Sequence, residues 1–285
     1  MAPDNAYDIE TLLDEVVTLP SLPDSVAKLT EMLNDPTCDM KSVAHVISSD
    51  PAIALKTLRL VNSAYYGLGQ EVTSVEHATV LLGAKVLKNL ATTATAFDCM
   101  KSSATHFLQH SVACGIAMKS IVLSGCVKGF VGSEDEAFTY GLIHDIGKVI
   151  LEEYLPDECA EVEALVREEH IAWYEAERRV IGVDHAELGA MLAQKWKLTP
   201  AVVNAIRGHH DLNACDPQHK VLAACLSIAN QMCNLSGFYS HPDNRTEVLP
   251  ETYEVADIDC AKLAKVAEQY FKMRASIDEL LTLAE

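Results

Sequence analysis

The stretch Tyr140-Gly-Leu-Ile-His-Asp-Ile-Gly-Lys148 places a histidine and an aspartate, His144 and Asp145, side by side in an apolar run of helical character. Burying ionisable groups is costly unless they are paired or bound to a metal ion. An imidazole beside a carboxylate offers a divalent cation one nitrogen and one or two oxygens. A surface His-Asp pair is common and inert, so the doublet gains weight only from other side chains that could join it.

The composition is that of a folded protein built mainly from helices. The chain has 285 residues, of which 49% are apolar and 22% charged, and this size allows one large domain or two medium ones. Aromatic residues are few, at 6%, and the sequence shows neither an internal repeat nor an alternating strand pattern. We therefore predict an all-α fold.

Charge, hydropathy and cysteine usage limit the partners and the compartment. The 22 basic and 41 acidic residues give a net charge of −19, which disfavours binding to nucleic acid or anionic membranes. The first residues lack the features of a secretory signal, and no apolar run approaches the roughly 20 residues of a membrane span. The nine cysteines are scattered without a Cys-x-x-Cys pair, as is typical of reduced thiols. We expect a cytoplasmic protein.

A short polar stretch over residues 98–104 divides the helical segments. It predicts two lobes, an N-terminal helical lobe over residues 1–98 and a second lobe with closing helices over residues 99–285. In the second lobe, Ser133 and Glu136 form a capping box that begins the helix carrying the doublet.

Capping residues and apolar patterns predict further helix boundaries in the second lobe. A long helix is predicted over residues 107–127, and Asp184 is the predicted N-cap of a later helix. Residues 220–232 form a predicted buried helix, and residues 237–252 have the composition of the longest loop.

Histidines occur on the inward-facing stripes of several predicted helices. In each case the neighbours at three- and four-residue spacing are apolar, and the histidines are His110, His185 and either His209 or His210. A single inward histidine is more often a hydrogen-bonded core residue than a metal ligand. Several of them, with the doublet, could meet in one cavity of a helical bundle, where metal sites are commonly built.

The pattern resembles a known superfamily. The order His110, His144-Asp145, His185 and His209-His210 resembles the metal-ligand order of the HD superfamily of phosphohydrolases, particularly its HD-GYP branch. The motifs Leu19-Pro-x-Leu-Pro23, Ser49-Asp-Pro51, Leu60-Val-Asn-Ser63, Leu81-Leu-Gly83 and Gly141-Leu-Ile-His-Asp-Ile-Gly-Lys148 together resemble the HDOD family, the "HD-related output domain". The resemblance covers about residues 15–235. It implies a bacterial signal-transduction module, a two-lobed helical bundle whose C-terminal lobe is HD-like; many members have lost the HD ligands and are regarded as non-catalytic.

The resemblance implies a metal centre holding one or two divalent transition-metal ions, such as Fe, Mn, Ni or Zn. Its ligands would be His110, His144, Asp145, His185, His209 and His210, with Asn230 as a weak member. If the centre were active, Asp145 would hold the metal whose bound water attacks phosphorus. Lys148 would neutralise charge on the phosphoryl oxygens, or would lie solvated near a helix end.

Two departures from the family patterns bear on activity. Asn230 stands where HD enzymes carry a final aspartate, and its uncharged carbonyl oxygen is a poorer ligand. No Gly-Tyr-Pro signature follows His209 and His210, which disfavours cyclic-di-GMP hydrolysis but leaves metal binding possible.

Two functions from different classes therefore remain. The favoured one is a non-catalytic HDOD signalling module that binds a signalling protein in trans or a small ligand and keeps a metal-binding HD pocket. The alternative is a metal-dependent phosphohydrolase with a degenerate centre. The lost ligand and the acidic character of the chain favour the first.

Overall fold

The computed structural model describes residues 39–48, 72–83, 105–196, 198–241 and 250–272, with a few isolated positions before residue 62. Within these residues the regular structure is helical, and the only non-helical pairing is an isolated antiparallel bridge between Val127 and Ile258. The predicted all-α class is confirmed. None of the described helices combines the length and apolarity that crossing a membrane requires.

The α-helices of the described residues are α1 (Met40–Ser48), α2 (Val75–Leu82), α3 (Thr105–Leu123), α4 (Glu134–Ile143), α5 (Ile146–Tyr154), α6 (Pro156–Glu169), α7 (Trp173–Val180), α8 (His185–Lys195), α9 (Pro200–Gly208), α10 (Lys220–Leu235), α11 (Pro250–Val255) and α12 (Cys260–Lys272). A short 3₁₀ helix, Pro217–His219, precedes α10.

The helices belong to two compact units. One unit contains α1 and α2, which pack against each other and contain the buried residues Ile47 and Ala78. The other contains α3 to α11 and the part of α12 that ends at Tyr270. The lobe boundary predicted at residues 98 and 99 lies outside the described residues.

Helix α3 is the centre of the larger unit. Its residues 110–118 are all buried, and it packs against both α4 and α10. The predicted long helix is confirmed, but it ends at Leu123 instead of residue 127. Gly125 follows with φ of 62°, a left-handed conformation that turns the chain out of the helix.

The predicted helix starts are confirmed. The hydroxyl of Ser133 accepts the backbone N–H of Glu136 at 3.3 Å, and the Glu136 carboxylate accepts the backbone N–H of Ser133 at 2.7 Å. Asp184 accepts the backbone N–H of Glu187 at 2.8 Å at the start of α8. The predicted buried helix over residues 220–232 is α10, and the last residues of the predicted loop, from Pro250, begin α11.

The expectation that the helix begun by the capping box carries the doublet is wrong. Helix α4 ends at Ile143 and α5 begins at Ile146, so His144 and Asp145 occupy the break between them. The Lys148 backbone N–H bonds the Asp145 carbonyl at 2.9 Å, which is a tight three-residue turn. The doublet therefore lies at two adjoining helix ends, where its side chains are directed differently from those on a continuous helix face.

Glycines allow the backbones around the doublet to touch. A Cβ on Gly141 would lie 2.5 Å from the Cys114 carbonyl oxygen of α3. A Cβ on Gly147 would lie 2.0 Å from the His185 carbonyl oxygen of α8. Both distances are far inside van der Waals contact, so only glycine fits without moving the helices. These contacts hold α4 against α3 and α5 against α8 and so bring their histidines to the doublet.

The contact at Gly147 predicts that a glycine-to-alanine change there lowers the free energy of unfolding, although the same change usually raises it in a helix. In an exposed helix interior this change stabilises by about 1 kcal/mol. Gly147→Ala instead forces α5 away from α8, and we expect it to lower the free energy of unfolding by about 3 kcal/mol. Urea denaturation measures it. Gly189→Ala is the control, because its Cβ would lie 3.1 Å from the Gly147 nitrogen, a milder overlap. It should lower the free energy of unfolding by less than Gly147→Ala does. Unchanged or higher stability of Gly147→Ala would contradict the packing argument.

Candidate metal centre

Four imidazoles approach the two carboxylate oxygens of Asp145. Oδ1 lies 3.2 Å from His185 Nε2, 3.4 Å from His144 Nε2 and 3.5 Å from His209 Nε2. Oδ2 lies 3.5 Å from His110 Nε2. All five side chains are buried. The carboxylate is therefore surrounded by ring nitrogens supplied from α3, α8, the end of α9 and the break before α5.

A fifth imidazole, His210, completes the cluster. Its Nε2 lies 3.0 Å from His185 Nε2, and its ring stacks on Tyr174 of α7 with centroids 4.6 Å apart. Unlike the others, His210 is partly exposed. The potential ligand atoms form two groups that share Asp145, each group within 4.8 Å: Asp145 with His185, His209 and His210, and Asp145 with His110 and His144. The structure thus brings together the six side chains expected from the sequence.

Main-chain carbonyl groups orient three of the rings. Their Nδ1 atoms each lie within hydrogen-bond distance of a carbonyl oxygen: His110 to Phe238 at 2.8 Å, His144 to Gly141 at 2.7 Å, and His209 to Ile206 at 2.6 Å. A carbonyl oxygen only accepts, so Nδ1 carries the proton in each ring. In a neutral ring this leaves the Nε2 lone pair directed towards Asp145.

Burial keeps two of these rings neutral. It lowers the pKa of His110 to about 4 and lowers the pKa of His144 well below its ordinary value, despite the nearby Asp145 carboxylate. Their Nε2 atoms lie 3.3 Å apart. With both protons on Nδ1, the facing nitrogens are two electron-pair donors directed at the same space.

His185 is held by a carboxylate that the sequence reasoning missed. Glu177 of α7 is buried, and its Oε2 accepts both the His185 Nδ1–H at 2.6 Å and the His185 backbone N–H at 2.9 Å. Burial opposes a charge on His185, but the Glu177 and Asp145 carboxylates outweigh it and raise its pKa to about 9. No local motif links Glu177 to a histidine eight residues later, since a turn between two helices brings them together.

Lys148 neutralises Asp145 from within the pocket. Its Nζ donates to Asp145 Oδ2 at 2.5 Å and to the Ser240 hydroxyl at 2.9 Å, and the side chain is buried. The alternative of a solvated lysine is therefore wrong. Burial opposes ionisation of Asp145, but the imidazoles and the Lys148 ammonium hold the pKa of its carboxyl well below the usual range.

Residues Ser236–His241, which we call the closing segment, lie against the cluster. The Phe238 carbonyl bonds His110, and the Ser240 hydroxyl bonds Lys148. The His241 ring packs on Trp173 with centroids 4.2 Å apart. From Gly237 onward the segment belongs to the stretch predicted as a long loop, but the composition of that stretch does not indicate contact with the histidines.

Asn230 lies fully buried on α10. Its Oδ1, the atom it would offer a metal, accepts the Asn234 amide at 3.2 Å. Its Nδ2 has no hydrogen-bond partner among the described residues. A ligand role for Asn230 stays a prediction.

The residues present fit a divalent transition metal. Asp145 Oδ1 and His209 Nε2 are buried and have no hydrogen-bond partner within the part of the chain described, although buried polar atoms are normally satisfied. Imidazole and carboxylate ligands suit zinc, iron, manganese and nickel. Rings whose second nitrogen bonds a carbonyl or carboxylate have the support found around metal-bound histidines.

A family model matches more than half of the chain. The model of the HDOD domain matches residues 19–212.

The chain belongs to the HDOD family.

Solved structures share the fold of this HDOD protein over almost its whole length. A candidate phosphohydrolase from Shewanella amazonensis SB2B is 28% identical with a TM-score of 0.76, covering 96% of this chain and 98% of its own. An HDOD domain protein of unknown function from Geobacter sulfurreducens is 26% identical with a TM-score of 0.77, covering 95% and 97%.

One curated relative is much longer than this chain. An uncharacterized protein from Treponema pallidum (strain Nichols) is 25% identical over 223 residues, which make up 77% of this chain and 43% of the relative. The HDOD protein thus spans less than half the length of that relative.

The contact between Glu177 and His185 predicts a graded loss of stability. Glu177→Ala leaves two buried N–H groups of His185 without an acceptor and should lower the free energy of unfolding by about 3 kcal/mol. Glu177→Gln keeps an acceptor oxygen and should cost about 1 kcal/mol. Urea denaturation of metal-free protein checks both values. The exposed Glu168 is the matched control, and its change to alanine should stay within about 0.5 kcal/mol. Equal losses for the two Glu177 variants would show that the acceptor is unimportant.

Proposed function

We propose that this HDOD protein is a regulatory signal-transduction module whose histidine-rich pocket binds a divalent transition metal and does not hydrolyse phosphoesters. The observation that carries the proposal is the arrangement of the rings around Asp145. Three imidazoles donate Nδ1–H to carbonyl groups, and their Nε2 atoms approach the same buried carboxylate. Lys148 bonds Oδ2 of that carboxylate, but the Nε2 lone pairs still converge on the anion, an unfavourable arrangement that a metal cation among them would relieve.

The metal would be held by the imidazoles and Asp145, and it would supply Lewis acidity and a cross-link between helices. The residues themselves prepare that position. Main-chain carbonyls fix the rings, Glu177 orients His185, and Asp145 stays ionised in a buried site. Because the ligands come from α3, α8 and α9, a bound ion would join helices that are distant in sequence.

Three features favour a regulatory role over catalysis. Lys148 is bonded to Asp145 and Ser240, so its ammonium is not free for a phosphoryl oxygen. The closing segment covers His110. Asn230 brings no charge where HD enzymes carry an aspartate. A non-catalytic module would act through a signalling protein in trans or through a small ligand.

Metal content tests the first part of this proposal. Protein purified without a histidine tag should contain iron, manganese, nickel or zinc by elemental analysis. Removing the ion with a chelator should lower Tm, because an ion present at about 1,000 times its Kd stabilises the folded state by about 4 kcal/mol. Asp145→Ala should abolish the metal-dependent rise in Tm, whereas Asp157→Ala on the exposed start of α6 should preserve it. The metal proposal fails if no ion co-purifies and none can be loaded.

A second candidate function is metal-dependent phosphohydrolysis. The Shewanella amazonensis structure favours it, because that protein is described as a candidate phosphohydrolase and covers nearly all of this chain at 28% identity. The two functions separate in an assay of an aryl phosphodiester with added Mn²⁺ or Fe²⁺. We expect no turnover. Turnover that disappears in Asp145→Ala would favour the second candidate.

Restoring the missing carboxylate tests the position assigned to Asn230. Asn230→Asp adds a negative charge, and charge among the ligands raises affinity for a divalent ion. We expect metal affinity to rise about 10-fold, measured by competition with a metal-binding dye. Asn213→Asp on an exposed loop is the matched control and should leave affinity unchanged. An unchanged affinity for Asn230→Asp would contradict its assignment to the place of the final aspartate.

A further inference from the structure

We infer that the pocket binds its first metal ion at Oδ1 of Asp145, and that Lys148 serves as an internal cation at Oδ2. The three-histidine side consists of Asp145 Oδ1 with His185, His209 and His210. The lysine side consists of Asp145 Oδ2 with His110 and Lys148. His144 Nε2 lies between the two sides, 3.4 Å from Oδ1 and 3.3 Å from His110 Nε2. A second ion would then bind far more weakly. The inference rests on the proposed metal binding and adds where the ion binds and how many bind tightly.

Hydrogen bonding distinguishes the two sides. Asp145 Oδ1 and His209 Nε2, both buried and on the three-histidine side, have no hydrogen-bond partner among the described residues. On the lysine side, Oδ2 already accepts from Lys148 at 2.5 Å. An ion at Oδ2 would have to displace that ammonium and leave it buried against Ser240 without its anion. On the three-histidine side the nearest cationic group is the His185 imidazole, 3.2 Å from Oδ1. An ion there displaces a proton, which can leave the pocket, instead of an ammonium that stays buried.

The charge of the pocket limits the number of tightly bound ions. Asp145 and Glu177 each contribute −1 and Lys148 contributes +1, with the imidazoles neutral when they bind metal. One divalent ion leaves a net charge of +1, and two leave +3. Like charges a few ångströms apart in a buried site repel strongly. We therefore expect the second ion to bind at least about 100-fold more weakly than the first.

Exposure also differs between the two sides. His210, on the three-histidine side, is the partly exposed member of the cluster and stacks on Tyr174. His110 and His144 are fully buried, and the closing segment bonds His110. The three-histidine side therefore contains the member of the cluster that is partly open to solvent.

Stoichiometry in the unmodified protein is the primary test and depends on no variant. The metal-free protein of 285 residues is dialysed against increasing Mn²⁺, and bound ion is measured by elemental analysis, with Zn²⁺ as a second probe. We expect one tight equivalent and a second at least about 100-fold weaker. Two equivalents of equal affinity would overturn this inference and leave the proposed metal binding intact. No binding of either ion would overturn both.

Two histidine variants identify the side that binds first. His209→Ala should lower the first Mn²⁺ affinity by more than about 100-fold, whereas His110→Ala should lower it by less than about 10-fold. Far-UV circular dichroism and thermal melting show whether each variant is folded. The reverse order of losses would place the first ion on the lysine side and overturn the inference.

The role of Lys148 has its own test. Lys148→Met removes the internal cation and keeps the apolar stem. The ratio of the first Mn²⁺ affinity to the second should therefore fall at least about 10-fold. Ser240→Ala is the matched control, since it removes the other partner of Lys148 and keeps the ammonium. An unchanged gap in Lys148→Met would overturn the assignment of Lys148 as the competing cation.

Discussion

The buried negative charge of Asp145 is the constraint on which the arrangement of the larger unit depends. A carboxylate without solvent is stable only when cations or polar groups surround it closely. Here the Lys148 ammonium bonds Oδ2, and the His185 imidazole, whose pKa is raised to about 9, lies 3.2 Å from Oδ1. These groups come from separate helices, so the helices must approach each other closely enough to satisfy one side chain.

Close backbone contact makes that approach possible. Gly141 lies against α3 and Gly147 against α8, at distances where a Cβ would overlap a carbonyl oxygen. The same contacts place His110 and His185 beside the doublet. The glycines of the Gly-Leu-Ile-His-Asp-Ile-Gly stretch are thus as necessary to the pocket as its histidine and aspartate, because they set the distances between the helices that carry the ligand atoms.

The sequence predicted what depends on local pattern. Inward helical stripes identified His110 and His185, and the capping residues Ser133 and Asp184 marked true helix starts. It missed what depends on long-range contact. Glu177 reaches His185 across a turn between two helices, and no periodicity reports such a pairing. The closing segment contacts the cluster partly through a main-chain carbonyl, which carries no side-chain signature.

The break between α4 and α5 was missed for a different reason. His144 has helical dihedral angles, and the residues around the doublet are apolar in a helical pattern. Asp145, with φ of −95° and ψ of 13°, leaves the helical region, and the tight turn to Lys148 starts the next helix. Propensity is a weak guide where a buried charge has to be satisfied, since tertiary contacts then decide the local conformation.

Lys148 couples the pocket to the closing segment. Its ammonium bonds Asp145 and Ser240 together, so a change in the charge around Asp145 alters the strength with which Lys148 holds that segment. A divalent ion at Oδ1 would draw electron density from the carboxylate and weaken the bond at Oδ2. By linkage, if the ion changes the affinity of the closing segment for a partner, that partner changes the affinity of the pocket for the ion by the same factor. A pocket built in this way can report a bound ion to another protein without chemical turnover, which is the behaviour that the proposed regulatory function requires.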